Sequence, residues 1–132
     1  MPPSIEILDT KEEFSMIKRA KSFTYAGRGI YVFIKTTHNA WIHLFILAVA
    51  VLLGFYLGII RVEWMFLIVA GGLVLVTEAL NTAIEIDINL TSPEYHLYAK
   101  DTKDVAAGAV LISAIVAAII GLMIFLPYVF VG

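Results

Sequence analysis

Residues 64–89 read WMFLIVAGGLVLVTEALNTAIEIDIN, and this stretch decides what kind of protein the chain is. Its first half is a run of hydrocarbon side chains suited to a bilayer, while its second half carries carboxylates and amides at helical spacing. On a helix turning about 100° per residue, Glu78, Asn81, Glu85 and Asn89 fall in one stripe roughly 80° wide, and Asp87 lands on the opposite side. At a rise of about 1.5 Å per residue, Glu78 lies roughly 21 Å beyond Trp64 and Glu85 roughly 32 Å. A hydrocarbon core is about 30 Å thick, so Glu78 stands inside its far boundary and Glu85 at headgroup level. Ionisable groups at such depth are costly and mark a pathway or an active site. For Glu85 the ordinary reading is a helix end emerging into water. Glu78 lies too deep for that.

The rest of the chain agrees with a membrane setting. Of 132 residues, 61% are hydrophobic and none is cysteine, and the mean hydropathy is +0.91. A soluble domain of this size does not carry so much apolar surface, so an all-α polytopic membrane protein is expected. Without cysteine there are neither disulfides nor thiolate metal sites. A net charge of −2 and the absence of a basic nucleic-acid motif leave no reason to expect a nucleic-acid partner.

In chain order, residues 1–9 lack the features of a signal peptide and read as an exposed tail. Thr10 and Glu13 form a capping box, which starts a surface helix over about 10–38. That helix mixes Lys11, Lys18, Arg19, Lys21 and Arg28 with Phe14, Ile17, Phe23 and Tyr25. Such a composition suits an amphipathic helix lying in the membrane interface, its cations reaching toward phosphates. Gly27 and Gly29 are expected to bend or interrupt it. Spans are expected at 41–60, 64–90 and 103–130, joined by a short turn at Arg61–Glu63 and by a polar loop. Trp41 and Tyr56 suit the interfacial belts, and His43 reads as an interfacial donor rather than a ligand. Gly71, Gly72 and the many alanines of the third span permit close helix approach. Of nine Lys and Arg, six precede the first span, Lys100 and Lys103 lie between the second and third, and only Arg61 lies in the remaining loop. The positive-inside rule therefore puts the N-terminus and the polar loop in the cytoplasm, in a multi-pass protein of the inner or plasma membrane.

Three motifs at fixed spacing add a resemblance. They are Glu78-x-Leu80-Asn81-Thr82-Ala83-Ile84-Glu85, then Glu94-Tyr95-His96, then Ala99-Lys100-Asp101 with Lys103-Asp104 and Ala106-Ala107-Gly108-Ala109-Val110. Together they resemble the signature of the prokaryotic diacylglycerol kinase family, small integral-membrane lipid kinases that include undecaprenol kinases. The resemblance runs from about Lys18 to the end of the third span. It implies a single lipid-kinase domain over 1–132, using ATP and Mg²⁺ to phosphorylate a membrane lipid alcohol, and assembled as a homotrimer whose sites are shared between subunits. It implies Glu78 as catalytic base and Glu85 as a metal ligand. Nucleotide contacts are implied for Glu85, Glu94, Tyr95, His96, Lys103 and Asp104, with Lys18 and Tyr25 contributing from the surface helix.

The residues themselves support parts of this. Phosphoryl transfer needs a positioned alcohol, a base, a metal bridging phosphates and cations for developing charge. Glu78, deepest in the bilayer and most shielded from water, suits a base that meets the hydroxyl of a lipid. Glu85, nearer the surface, suits a hard cation that takes carboxylate and phosphate oxygens. Asn81 lies between them and can orient either the lipid hydroxyl or the base. No Walker-type loop is present.

Two positions depart from the family. Thr37 stands where a second metal-binding glutamate is usual, offering a hydroxyl but no charge, and Asn89 stands where aspartate is common. A catalytically weakened or inactive relative acting as a structural partner is the alternative reading. A small transporter is a third, but its pathway would need polar groups continuing through the second and third spans, which are almost wholly apolar. The lipid is undecaprenol or diacylglycerol, and the spelling of the motifs is closer to the Gram-positive, polyprenol-using branch.

Overall fold

The computed structural model of the chain describes residues 16–131. The capping box at Thr10 and Glu13 lies outside the described residues. Four helices follow in order: α1 (Met16–Thr36), α2 (His38–Leu57), α3 (Arg61–Thr91) and α4 (Leu97–Val131). Among the described residues there is no strand. The chain divides into two units at Val32 and Phe33, inside α1.

In the first unit, α1 runs unbroken through Gly27 and Gly29, against the expected interruption, and none of its residues is buried. Two isolated glycines cost a helix only about 1 kcal/mol each, less than breaking its hydrogen-bond ladder in the middle.

In the second unit, α2, α3 and α4 are each long and apolar enough to cross a membrane. The junction of α1 and α2 is the single extended residue Thr37, at φ −102° and ψ 108°. The last carbonyls of α1 lack partners within their own helix, and two groups supply them. Thr37 N–H donates to the Phe33 carbonyl at 3.0 Å, and the Trp41 indole N–H donates to that of Ile34 at 2.9 Å. Trp41 thus clamps the helix junction.

The turn between α2 and α3 is Gly58–Ile60, and Arg61, Val62 and Glu63 form the first turn of α3 rather than a loop. Gly58 takes φ +65° and ψ 46°, a left-handed conformation that glycine adopts without a Cβ penalty, and its N–H closes α2 on the Gly54 carbonyl. Glu63 accepts the Ile60 N–H at 3.0 Å and also the Tyr128 hydroxyl. Around these contacts Ile59, Leu67 and Ile124 form the apolar cluster at this end of the bundle, with Trp64 and Tyr128 packed on it.

The central pair is α3 against α4. On α3 the buried residues are Leu67, Ala70, Val74, Glu78 and Asn81, at spacings of three and four, so one face runs from hydrocarbon into the polar stripe. On α4 the buried residues are Ala99, Ala106, Ser113 and Ile124, mostly small, which lets the backbones approach. Gly71 meets α2: a Cβ there would lie 2.6 Å from Leu47 Cδ1, whereas one on Gly72 would meet nothing within 4 Å. Only the first of the two expected close-approach glycines is used. Phe45, Leu52, Ile68, Val69, Ile119 and Met123 all point outward and are exposed. So much apolar surface is stable only in a solvent of hydrocarbon.

The third long helix begins at Leu97, six residues before the expected start near 103. His96 is the reason. Its Nδ1 accepts the Tyr98 N–H at 3.1 Å and its carbonyl accepts the Lys100 N–H at 3.0 Å, the two bonds that cap a helix start. Lys100, Asp101, Lys103 and Asp104 therefore lie on a helical face, not in a loop.

Candidate functional site

Glu78 is 1% exposed, the most deeply enclosed large side chain among the described residues. Its Oε2 accepts no hydrogen bond, and the nearest cationic candidate is His43 Nε2 on α2, 3.4 Å away. A buried carboxylate without full pairing is costly, so a fold that keeps one is holding it for a use. The backbone around it is pinned. Thr82 donates from its hydroxyl to the Glu78 carbonyl at 3.0 Å, and its Oγ1 lies 2.7 Å from that of Thr37. With the Thr82 proton spent on the carbonyl, Thr37 must be the donor to Thr82. This relay ties the start of α2 to the turn of α3 that carries Glu78.

Asn81 follows one turn along the stripe, 7% exposed. Its Nδ2 donates to Glu85 Oε1 at 3.3 Å, while its buried Oδ1 accepts nothing. Asn81 lines a cavity of about 550 Å³ between α3 and α4, whose polar lining also includes Tyr98, Asp101 and Thr102. Glu85 is exposed, as the stripe predicts for its position at headgroup level.

Beyond it a cavity of about 380 Å³ is lined by Asn89, Glu94, Tyr95, His96, Lys103 and Asp104, among others. All five second-unit residues expected at a nucleotide outside the stripe thus surround one space, within the usual size of small-molecule sites, about 300–1,000 Å³. Lys103 Nζ donates to Asn89 Oδ1 at 2.6 Å, so the amide at this departure position is a ligand to the lysine across the α3–α4 gap. Lys100 donates to Asp104 Oδ2 at 2.6 Å. Lys18 and Tyr25 lie on α1 in the first unit, both exposed.

Among the described residues no three His, Asp or Glu side chains converge on a point that could hold a metal by themselves. Mg²⁺ does not require that: it takes one or two carboxylates together with phosphate and water oxygens. Glu85, the Asn81 Oδ1 without a donor and the Thr37 hydroxyl are all oxygen ligands. Thr37 is bonded to Thr82, whose position on α3 lies three residues before Glu85. All-oxygen donors of this kind suit a hard cation by their chemistry.

The approach of His43 to Glu78 is a contact that the sequence does not show. His43 lines an apolar groove of about 560 Å³ formed by α2, α3 and α4, with Leu47, Gly71, Val74, Ala117 and Phe125 among its other walls. Helical periodicity groups residues of one helix and cannot pair His43 with Glu78 on the next. The available signal was a lone titratable side chain in an otherwise apolar span.

The family model described as prokaryotic diacylglycerol kinase matches residues 24–125. The chain is 39% identical over 121 residues to the undecaprenol kinase of Bacillus subtilis, covering 91% of this chain and 98% of that one. It is 38% identical over 107 residues to a diacylglycerol kinase of Synechocystis, covering 80% of this chain and 61% of that one. With a diacylglycerol kinase of Helicobacter pylori it shares 32% identity over 110 residues, 78% of this chain and 86% of the other. A polar stripe that begins inside the bilayer, a sequestered carboxylate and three membrane helices are thus joined to a match over most of the chain, and the protein belongs to the prokaryotic diacylglycerol kinase family, a family of membrane lipid kinases.

Proposed function

We propose that this protein transfers the γ-phosphoryl group of ATP, with Mg²⁺, to the hydroxyl of a membrane lipid alcohol at the cytoplasmic face. The observation that carries this reading is the placement of Glu78. Its carboxylate is enclosed at membrane depth, on the same helix face as the exposed Glu85. In the proposed reaction Glu78 accepts the proton of the lipid hydroxyl, whose oxygen bonds to the γ-phosphorus as the bond to the β–γ bridging oxygen breaks and ADP departs. Asn81, with an acceptor oxygen lacking a partner, orients the lipid hydroxyl. Glu85 and Thr37 would hold Mg²⁺, which would supply positive charge against the negative charge developing on the phosphates. Glu94, Tyr95, His96, Lys103 and Asp104 contact the nucleotide in the cavity they line.

The preferred acceptor in this proposal is undecaprenol, with diacylglycerol second. The relative named undecaprenol kinase is matched over nearly its whole length, and the Synechocystis diacylglycerol kinase over less than two thirds of its own. The distribution of basic residues supports a cytoplasmic N-terminus in the inner or plasma membrane. A homotrimer is proposed as well. Only Ala40 and Gly54 of α2 are buried, so three helices of one subunit enclose little interior. Phosphorylation of each lipid in mixed micelles, with purified protein, ATP and Mg²⁺, tests the assignment. Incorporation into undecaprenol several-fold faster than into diacylglycerol is expected, and no incorporation into either would overturn it.

A further inference from the structure

We propose that His43 is the positioning residue of the base: on substrate binding its Nε2–H closes on Glu78 Oε2, which has no donor in the unliganded protein, and so leaves Oε1 free to take the proton of the acceptor hydroxyl. This inference rests on the reading of Glu78 as the base.

Around Glu78, the hydroxyl protons of Thr82 and Thr37 and one of the two amide protons of Asn81 are committed elsewhere. Thr82 donates to the Glu78 carbonyl, Thr37 donates to Thr82, and the Asn81 amide donates to Glu85. His43 Nε2 lies 3.4 Å from Oε2, the charged-group contact of this carboxylate among the described residues. At that separation no hydrogen bond is formed, the distance being about 0.5–0.7 Å longer than a charge-assisted one, and catalytic contacts commonly tighten on substrate binding. The two side chains come from different helices, and the imidazole is 20% exposed against 2% for the carboxylate. The remaining surroundings of His43 are hydrocarbon, since the groove it lines is walled by leucine, valine, alanine and phenylalanine. An interfacial histidine reaching for water would turn its ring outward. This one turns a nitrogen toward the enclosed acid.

A carboxylate rotates freely about its last bond unless one oxygen is held. Fixing Oε2 from α2 sets the plane of the carboxylate, and with it the direction in which Oε1 accepts a proton. A misplacement of about 1 Å at such a base costs on the order of 100-fold in rate. Supporting partners of this kind typically contribute about 10- to 100-fold.

The test is the comparison of His43→Leu with His43→Gln in the full-length protein, measuring lipid phosphorylation in mixed micelles and MgATP binding in parallel. The Gln amide nitrogen sits close to where Nε2 was, while Leu fills the space without a donor. We expect His43→Leu to lower kcat about 10- to 100-fold with KM for lipid and MgATP affinity little changed, and His43→Gln to recover most of the loss. If the leucine variant does not fold, His43→Asn replaces it, since its shorter amide does not reach Oε2; slow turnover beside a fast Gln variant is then the expected pair. Unimpaired kcat in His43→Leu, equal losses in the donor and non-donor variants, or a loss that falls on MgATP binding would each overturn the positioning role. A Glu78→Gln control separates the two readings. If it keeps turning over, the base assignment fails whatever His43 does. If it is inactive while His43→Leu is normal, only the positioning role fails.

Discussion

Thr37 occupies the position at which the family resemblance calls for a charged metal ligand, and its surroundings allow the ligand role to be separated from a structural one. Its hydroxyl makes a bond to Thr82 Oγ1 at 2.7 Å, and the residue is 9% exposed. Thr37→Val and Thr82→Val each delete that bond while nearly conserving shape. A neutral, partly buried hydroxyl bond contributes about 0.5–1.5 kcal/mol, so Thr37→Val should lose about that much stability and Thr82→Val, which also loses its bond to the Glu78 carbonyl, up to about twice as much. Only Thr37→Val also removes an oxygen from the proposed cation site. Loss of one neutral ligand should raise the Mg²⁺ concentration for half-maximal phosphorylation about 3- to 10-fold, equivalent to roughly 0.7–1.4 kcal/mol. Thr37→Glu should move the titration to lower Mg²⁺, because a carboxylate adds Coulombic attraction. The assay is a magnesium titration of lipid phosphorylation for wild type and the three variants, alongside thermal unfolding in the same detergent. Superimposable magnesium curves for Thr37→Val and Thr82→Val would refute the ligand role and leave Thr37 as the hinge that joins α1 to α2.

Two further outcomes are expected. Cysteines introduced at Thr91 and at Val62, in the otherwise cysteine-free chain, should label from opposite sides of sealed vesicles; labelling from one side would contradict the three-span orientation. Glu85→Gln removes the exposed carboxylate of the proposed Mg²⁺ site and should weaken Mg²⁺-dependent nucleotide binding by tenfold or more, on the scale of about 1.5–3 kcal/mol for a charged contact, as measured by nucleotide binding with and without Mg²⁺.

Much of the architecture was legible because a bilayer imposes simple rules. Runs of about 20 apolar residues become spans, and a helical stripe keeps its phase, so Glu78 and Asn81 could be placed on one buried face before any coordinates. Gly27 and Gly29 read as a break because local propensity favours one, yet the hydrogen-bond ladder of α1 carried through. α4 starts six residues before the expected position because its cap is a histidine accepting through Nδ1, not one of the residues ordinarily used for capping. The contact of His43 with Glu78 and the Thr37–Thr82 relay are invisible in sequence, since both depend on the rotation of α2 against α3. Gly71 and Gly72 are adjacent and chemically identical, and only the packing of Leu47 distinguishes them.

The central claim is that Glu78 takes the proton of the lipid hydroxyl. Its most direct test is turnover by Glu78→Gln, which preserves size and hydrogen-bonding capacity but removes the basic oxygen. With purified protein, saturating MgATP and either undecaprenol or diacylglycerol in micelles, phosphorylation should fall about 10²- to 10⁴-fold, the usual contribution of a general base, while MgATP affinity stays within about threefold of wild type. Near-normal turnover of Glu78→Gln with either lipid would contradict the account.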